Sequence, residues 1–144
     1  MTDKDKKEPL NELEYLIDGA SRDLVSIGTL WQVLLRSELY VLCDKEWDGR
    51  TADPSLKTLL MAPGNGEADL LAVFTAPQRA EKALQKYADY QKLVKVPGGL
   101  ALHQVGGKLG LAVNPGGDFD MQMPPQALDT LKQSLGLKPQ FPNP

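Results

Sequence analysis

One cysteine and one histidine are all the thiol and imidazole chemistry that this 144-residue sequence carries. Cys43 alone cannot form an internal disulfide, and its place in the apolar run 39–43 suits a buried thiol that behaves as a small hydrophobe. His103 has no second histidine and no carboxylate three or four residues to either side, so a zinc site, which takes three or four ligands, has nothing to start from. Long apolar runs are missing too. No stretch approaches the roughly 18 residues that cross a bilayer, and the opening MTDKDKKEP is charged where a signal peptide turns apolar, so a cytoplasmic protein is expected. Basic clusters are equally scarce. Lys and Arg number 16 against 19 Asp and Glu, a net charge of −3, which excludes the dense cationic surface that nucleic acid requires.

What is present is an ordinary globular mixture. Hydrophobic residues make up 42% and charged residues 24%, enough to bury one core at a length typical of one domain. Residues 1–8 and 139–144 read as polar tails around a domain spanning 9–138. Leu10, Leu13, Leu16, Ile17 and Ala20 recur at helical spacing. Leu24, Ile27, Leu30, Trp31, Leu34 and Leu35 mark a second helix, with Ser21 or Asp23 as its cap. Leu39 to Cys43 reads as a buried strand, and the segments 56–62 and 70–74 as a hairpin about the turn formers 63–66, giving three adjacent strands. Thr75 and Gln78 form a capping box for a helix from Ala76 to about Tyr90, with Ala80, Ala83, Leu84 and Tyr87 facing inward. Further strands are expected at 93–96, 109–113 and 119–123, and short helices at 98–105 and from Pro124 or Pro125 along the Leu128, Leu131, Leu135 stripe. The fold class is α+β, one domain with a mixed, mostly antiparallel sheet of about five strands and helices packed against it.

The search for reacting groups returns turns and loops. Gly64-Asn65-Gly66 and Gly106-Gly107-Lys108 have neither phosphate-loop nor dinucleotide-fold spacing. Asp44, Glu46 and Asp48 mimic the start of a calcium loop, but the later glycine is misplaced and no glutamate closes the ligand set. Neither metal nor cofactor is expected, and a Cys43–His103 nucleophile pair lacks any activating pattern. Two aromatics in polar surroundings stand out instead. Trp47 lies among Asp44, Glu46 and Asp48, and Phe119 follows Asp118 after the turn formers 114–117; each is either folded back on the core or an exposed anchor for a partner.

Three segments, LWQVLLRSELYVL at 30–42, FTAPQRAEKAL at 74–84 and GLAVNPGGDFDM at 110–121, together resemble the N-terminal domain of the SseB family. The turn Asn114-Pro115-Gly116-Gly117 after a strand is the most distinctive part, while Ala76 stands where members usually have an acidic or small polar residue. The resemblance covers about 24–135 and includes no counterpart of the further C-terminal domain of longer members. It implies a cytoplasmic α+β domain without catalytic residues. Proteins similar to this family also occur among bacterial secretion and toxin systems, which implies an immunity protein that binds a cognate toxin through Asp44, Glu46, Trp47, Asp48, Asp118 and Phe119. The other reading is a regulator or adaptor of metabolism or secretion.

Overall fold

The computed structural model describes residues 8–24, 26–50, 55–62, 67–104 and 108–134, without the side chains of Ile27, Gln104 and Ser134. The tails other than Glu8, the turn formers 63–66, Val105 and Leu135 lie outside the described residues.

Helix α1 (Glu12–Ser21) begins where the Asn11 side chain accepts a hydrogen bond from the Glu14 amide at 2.9 Å, and it buries Leu13 and Ile17. It ends on Asp23, which takes φ 61 and lets the Leu24 amide reach back to the Gly19 carbonyl. That left-handed turn occupies the residue expected to cap the next helix. Ser26 does so instead, its hydroxyl accepting from the Thr29 amide at 3.1 Å at the start of α2 (Ile27–Arg36). Leu30, Trp31 and Leu34 of α2 are wholly buried, each worth about 1.5–3 kcal/mol by transfer.

Among the described residues six strands follow in two ladders: β1 (Glu38–Cys43), β2 (Leu60–Met61), β3 (Leu70–Val73), β4 (Lys92–Pro97), β5 (Gly110–Val113) and β6 (Met121–Met123). Strand β1 pairs antiparallel with β4, while the second ladder runs β2-β3-β5-β6. Bridges Tyr40–Phe74 and Cys43–Thr58 join the two, so the three neighbouring strands expected after α2 do meet, with β1 held to the hairpin by bridges alone. The expected sheet of about five strands is thus, among the described residues, six strands in bridged ladders. The pairing of β3 with β5 is parallel, the rest antiparallel. The fold class is α+β.

A 3₁₀ turn (Pro77–Ala80), α3 (Glu81–Lys86), β4 and α4 (Gly98–Gln104) make the crossover between β3 and β5. The single helix expected from Ala76 to Tyr90 is broken because Pro77 opens a tight turn, and Ala76 at its cap supplies no side-chain hydrogen bond. Gly98 starts α4 hard against α2, where a Cβ would lie 1.8 Å from the Leu34 carbonyl oxygen. Helix α5 (Pro125–Ser134) closes the described chain and buries Leu128.

Strand alternation divides the interior. Leu39, Val41, Leu71, Val73, Leu111 and Val113 point into a large core filled from α1, α2, α4 and α5. Leu42, Leu59, Ala72 and Phe74 point the other way, into a smaller cluster under Ala80 and α3. No helix among the described residues is long and apolar enough to cross a membrane.

Candidate functional site

The loop after β1 is stitched down residue by residue. Asp44 exchanges hydrogen bonds with Lys57: its amide donates to the Lys57 carbonyl, and its carboxylate accepts from the Lys57 amide, both at 3.0 Å. Lys45 bonds the Ser55 hydroxyl. Glu46, 87% exposed, pairs with Lys92 at 3.7 Å, a screened contact. Asp48 accepts from the Arg50 amide at 2.8 Å, the local turn that aspartate favours. Gly49, at φ 79, then lays the chain against β4 so closely that a Cβ would stand 2.3 Å from the Lys95 carbonyl oxygen. This covers part of an otherwise open strand edge.

Trp47 is the product of that path. It is half-buried, packed on the large core, and forms one wall of a cleft of ≈ 360 Å³ whose other walls are Glu38, Asp48, Arg50 and the β4 residues Leu93 to Pro97. The question the sequence left open has a divided answer: one part of the indole packs inward and the rest is presented at the rim. The acidic residues around it are less acidic in effect than their spacing suggests, since Lys92 neutralises Glu46 and Lys95 lies 3.5 Å from Glu38.

The turn after β5 behaves differently. Asn114 (φ 49) and Phe119 (φ 59) fold it back, and Phe119 is 5% exposed within the large core, with the Arg79 guanidinium 5.0 Å from its ring centre. Phe119 therefore does not stand out as a surface anchor. Asp118 is more open, its carboxylate 4.0 Å from Arg79. The two halves of the expected contact set also lie apart. Strand β1 runs antiparallel to β3 through the Tyr40–Phe74 bridge, and β5 runs parallel to β3, so Asp44 and Glu46 leave the sheet at the end opposite Asp118 and Phe119.

At the Asp118 and Phe119 end, just past the ends of β3 and β5, sits a polar cluster that the sequence reading missed. Glu14 of α1, wholly buried, takes two hydrogen bonds from Arg79 at 2.7 and 2.9 Å, one from the Leu10 amide at 2.8 Å and one from the Thr75 hydroxyl at 2.5 Å. Asn114 donates to the Thr75 hydroxyl and to the Phe119 carbonyl, and accepts from the Thr75 amide. Asn11 donates to the Thr75 carbonyl. Thr75, read as a helix cap, is instead the centre of this network. Burial by itself would raise the Glu14 pKa, but its bonds from Arg79, Thr75 and the Leu10 amide together hold it below the ordinary value. A signal existed: Glu14 falls on the same helical stripe as Leu10, Leu13 and Ile17, where a carboxylate must find partners. All its oxygens are satisfied, so the cluster is built to bind its own chain together.

Other reactive types are placed quietly. Cys43 is buried and its thiol is pushed up to about 11 by burial and the neighbouring Asp44 charge, so it stays protonated at neutral pH. His103 is exposed on α4. Among the described residues no group of three or more His, Cys, Asp or Glu is placed to hold a metal ion.

A family model, the SseB protein N-terminal domain, matches residues 13–130. No curated protein and no solved structure matches the chain.

Proposed function

The chain belongs to the SseB family, and from that membership and the cleft beside Trp47 we propose a cytoplasmic, non-enzymatic protein-binding domain, an immunity protein that covers a cognate secreted toxin. The observation that carries the reading is Trp47 itself, an aromatic fixed at the rim of a cleft by Gly49 and the edge of β4. An anchor already held in place loses little side-chain entropy on binding, which is how a few residues come to dominate an interface. Asp44, Glu46 and Asp48 surround it and select the partner by charge, although their ion pairs and turn contacts limit how much affinity they add. Asp118 sits at the far end of the sheet and Phe119 is buried, so both drop out of this contact surface.

The test is genetic and then biophysical. Deleting the gene should sensitise the native host to a secreted toxin encoded nearby, and the purified pair should bind. Trp47→Ala should weaken that binding by at least about tenfold while leaving the fold intact by circular dichroism. Full resistance of the deletion strain to every neighbouring effector would sink the immunity reading and favour an adaptor acting on a host protein.

A further inference from the structure

Strand β4 has a neighbour on one side only: among the described residues it pairs with β1 and with no other strand. Which of its peptide groups face the free side follows from β1. The amide and carbonyl of Tyr40 both bond Phe74, at 2.9 and 2.8 Å, and the Leu42 carbonyl accepts from the Leu59 amide. These groups point away from β4. In an antiparallel pair, a residue that turns its peptide groups away from the neighbouring strand stands opposite one that does the same. Lys95, opposite Tyr40, and Leu93, opposite Leu42, therefore direct amide and carbonyl to the free edge, while Val94 and Val96 face Val41 and Leu39 with theirs.

Those outward groups meet little of their own chain. Among the described residues no hydrogen bond reaches the outward amide or carbonyl of Leu93 or Lys95. Gly49 lies over the Lys95 carbonyl, which leaves the Lys95 amide and both groups of Leu93 to whatever enters the cleft beside Trp47. Leu93 to Pro97 line that cleft along its length.

We infer, resting on the Trp47 reading above, that the cleft receives an extended segment of the partner protein, which pairs by its backbone with the β4 edge at Leu93 and Lys95. A sheet edge is read by main-chain donors and acceptors, so the site selects an extended conformation before it selects charge. The rim agrees with this, since Glu38 and Asp48 are balanced there by Arg50 and Lys95. Gly49 limits the pairing to a short stretch by closing the Lys95 carbonyl, and the indole of Trp47 supplies the adjoining side-chain contact. A second copy of this chain is disfavoured as the occupant. Two β4 edges brought together crowd the like charges of Lys92 and Lys95 and press both Gly49 loops into one place, and edge lysines are a common guard against self-association.

Amide hydrogen exchange of the full chain, followed by NMR, tests the pairing with two probes: a blocked hexapeptide alternating threonine with valine, and its twin methylated on every peptide nitrogen. Without peptide, Leu93 and Lys95 should exchange fast and Val94 and Val96 slowly. The unmethylated peptide, at about ten times its Kd, should slow Leu93 and Lys95 by about tenfold, an alternate-residue pattern that side-chain contact does not produce, and the twin should not. Lys95→Pro removes an amide that β1 does not use; it should keep the fold by circular dichroism and lose at least about tenfold in affinity for the peptide. Should that variant fail to fold, the methylated twin decides. Strand pairing is overturned if Lys95 is as protected as Val94 in the free chain, if the peptide leaves Leu93 and Lys95 unslowed, if the twin protects as well, or if folded Lys95→Pro binds unchanged. Protection that rises with protein concentration alone also overturns it, in favour of a second copy. These measurements need no toxin, so a failed pairing leaves the Trp47→Ala test to stand as side-chain contact, and toxin binding unchanged by Trp47→Ala removes the anchor whatever the exchange shows.

Discussion

The Glu14 cluster and the Asp44–Arg50 loop use the same kinds of residue, carboxylates beside cations with one aromatic, and they do opposite things with them. Glu14 meets Arg79 where its side chain is 0% and that of Arg79 16% exposed, while Glu46 meets Lys92 at 87% and 50%. In the first place the pair is largely shielded from solvent, so each hydrogen bond is strong and each missing one costly; in the second, solvent and salt screen the pair. The charged residues of a chain therefore divide into those that hold it together and those it can offer to a partner, and burial makes the division.

The comparison is tested most severely by Glu14→Ala. It leaves a mostly buried guanidinium and the Thr75 hydroxyl without their acceptor, and a loss of about 3–5 kcal/mol in urea unfolding is expected. The same group has a pH signature. Its folded pKa lies below the ordinary 4.5, so its contribution is present above that value and lost as the pH falls through the folded value. Unfolding free energies measured from neutral pH into acid should decline more steeply for the native chain than for Glu14→Gln, and parallel curves would show that the carboxylate is not the fastener described. Asn114→Ala removes three hydrogen bonds and puts alanine at φ 49; a loss of about 2–3 kcal/mol in urea unfolding is expected.

Effects at the loop should be smaller. Gly49→Ala adds a Cβ against the Lys95 carbonyl at a positive φ, costing about 1–2 kcal/mol and loosening Trp47, which its fluorescence and the hydrogen exchange of β4 would report. Glu46→Gln should change stability by less than about 0.5 kcal/mol at moderate salt. A larger loss there would erase the contrast between the two regions.

How far these regions were legible differs in the same way. Most of the helical stripes of α1 and α2, the apolar run of β1 and the strand before Asn114 follow from spacing that any buried face imposes and sit where expected, whereas Leu10 and Leu24, read into those stripes, lie outside the helices and are exposed. Trp47 and its acidic neighbours were recognisable because a large aromatic in a polar stretch is locally anomalous. Thr75 was misjudged because the Thr75–Gln78 spacing matches a helix cap, while the partner that claims its hydroxyl, Glu14, is 61 residues away. Ser21 and Asp23 read as caps of α2 by residue type alone, whereas the left-handed turn at Asp23 leaves the role to Ser26.

Composition and periodicity thus determined an α+β domain, the identity of most core residues, and the lack of local motifs for metal or phosphate. Tertiary structure alone decided that Phe119 is buried while Trp47 reaches a cleft, that their loops leave opposite ends of the sheet, and that Glu14 fastens α1 to Arg79 and Thr75. The reason is one of range. Periodicity reports which face of a segment avoids water, whereas hydrogen bonds and ion pairs between distant segments exist only once the chain has brought them within about 3 Å of each other.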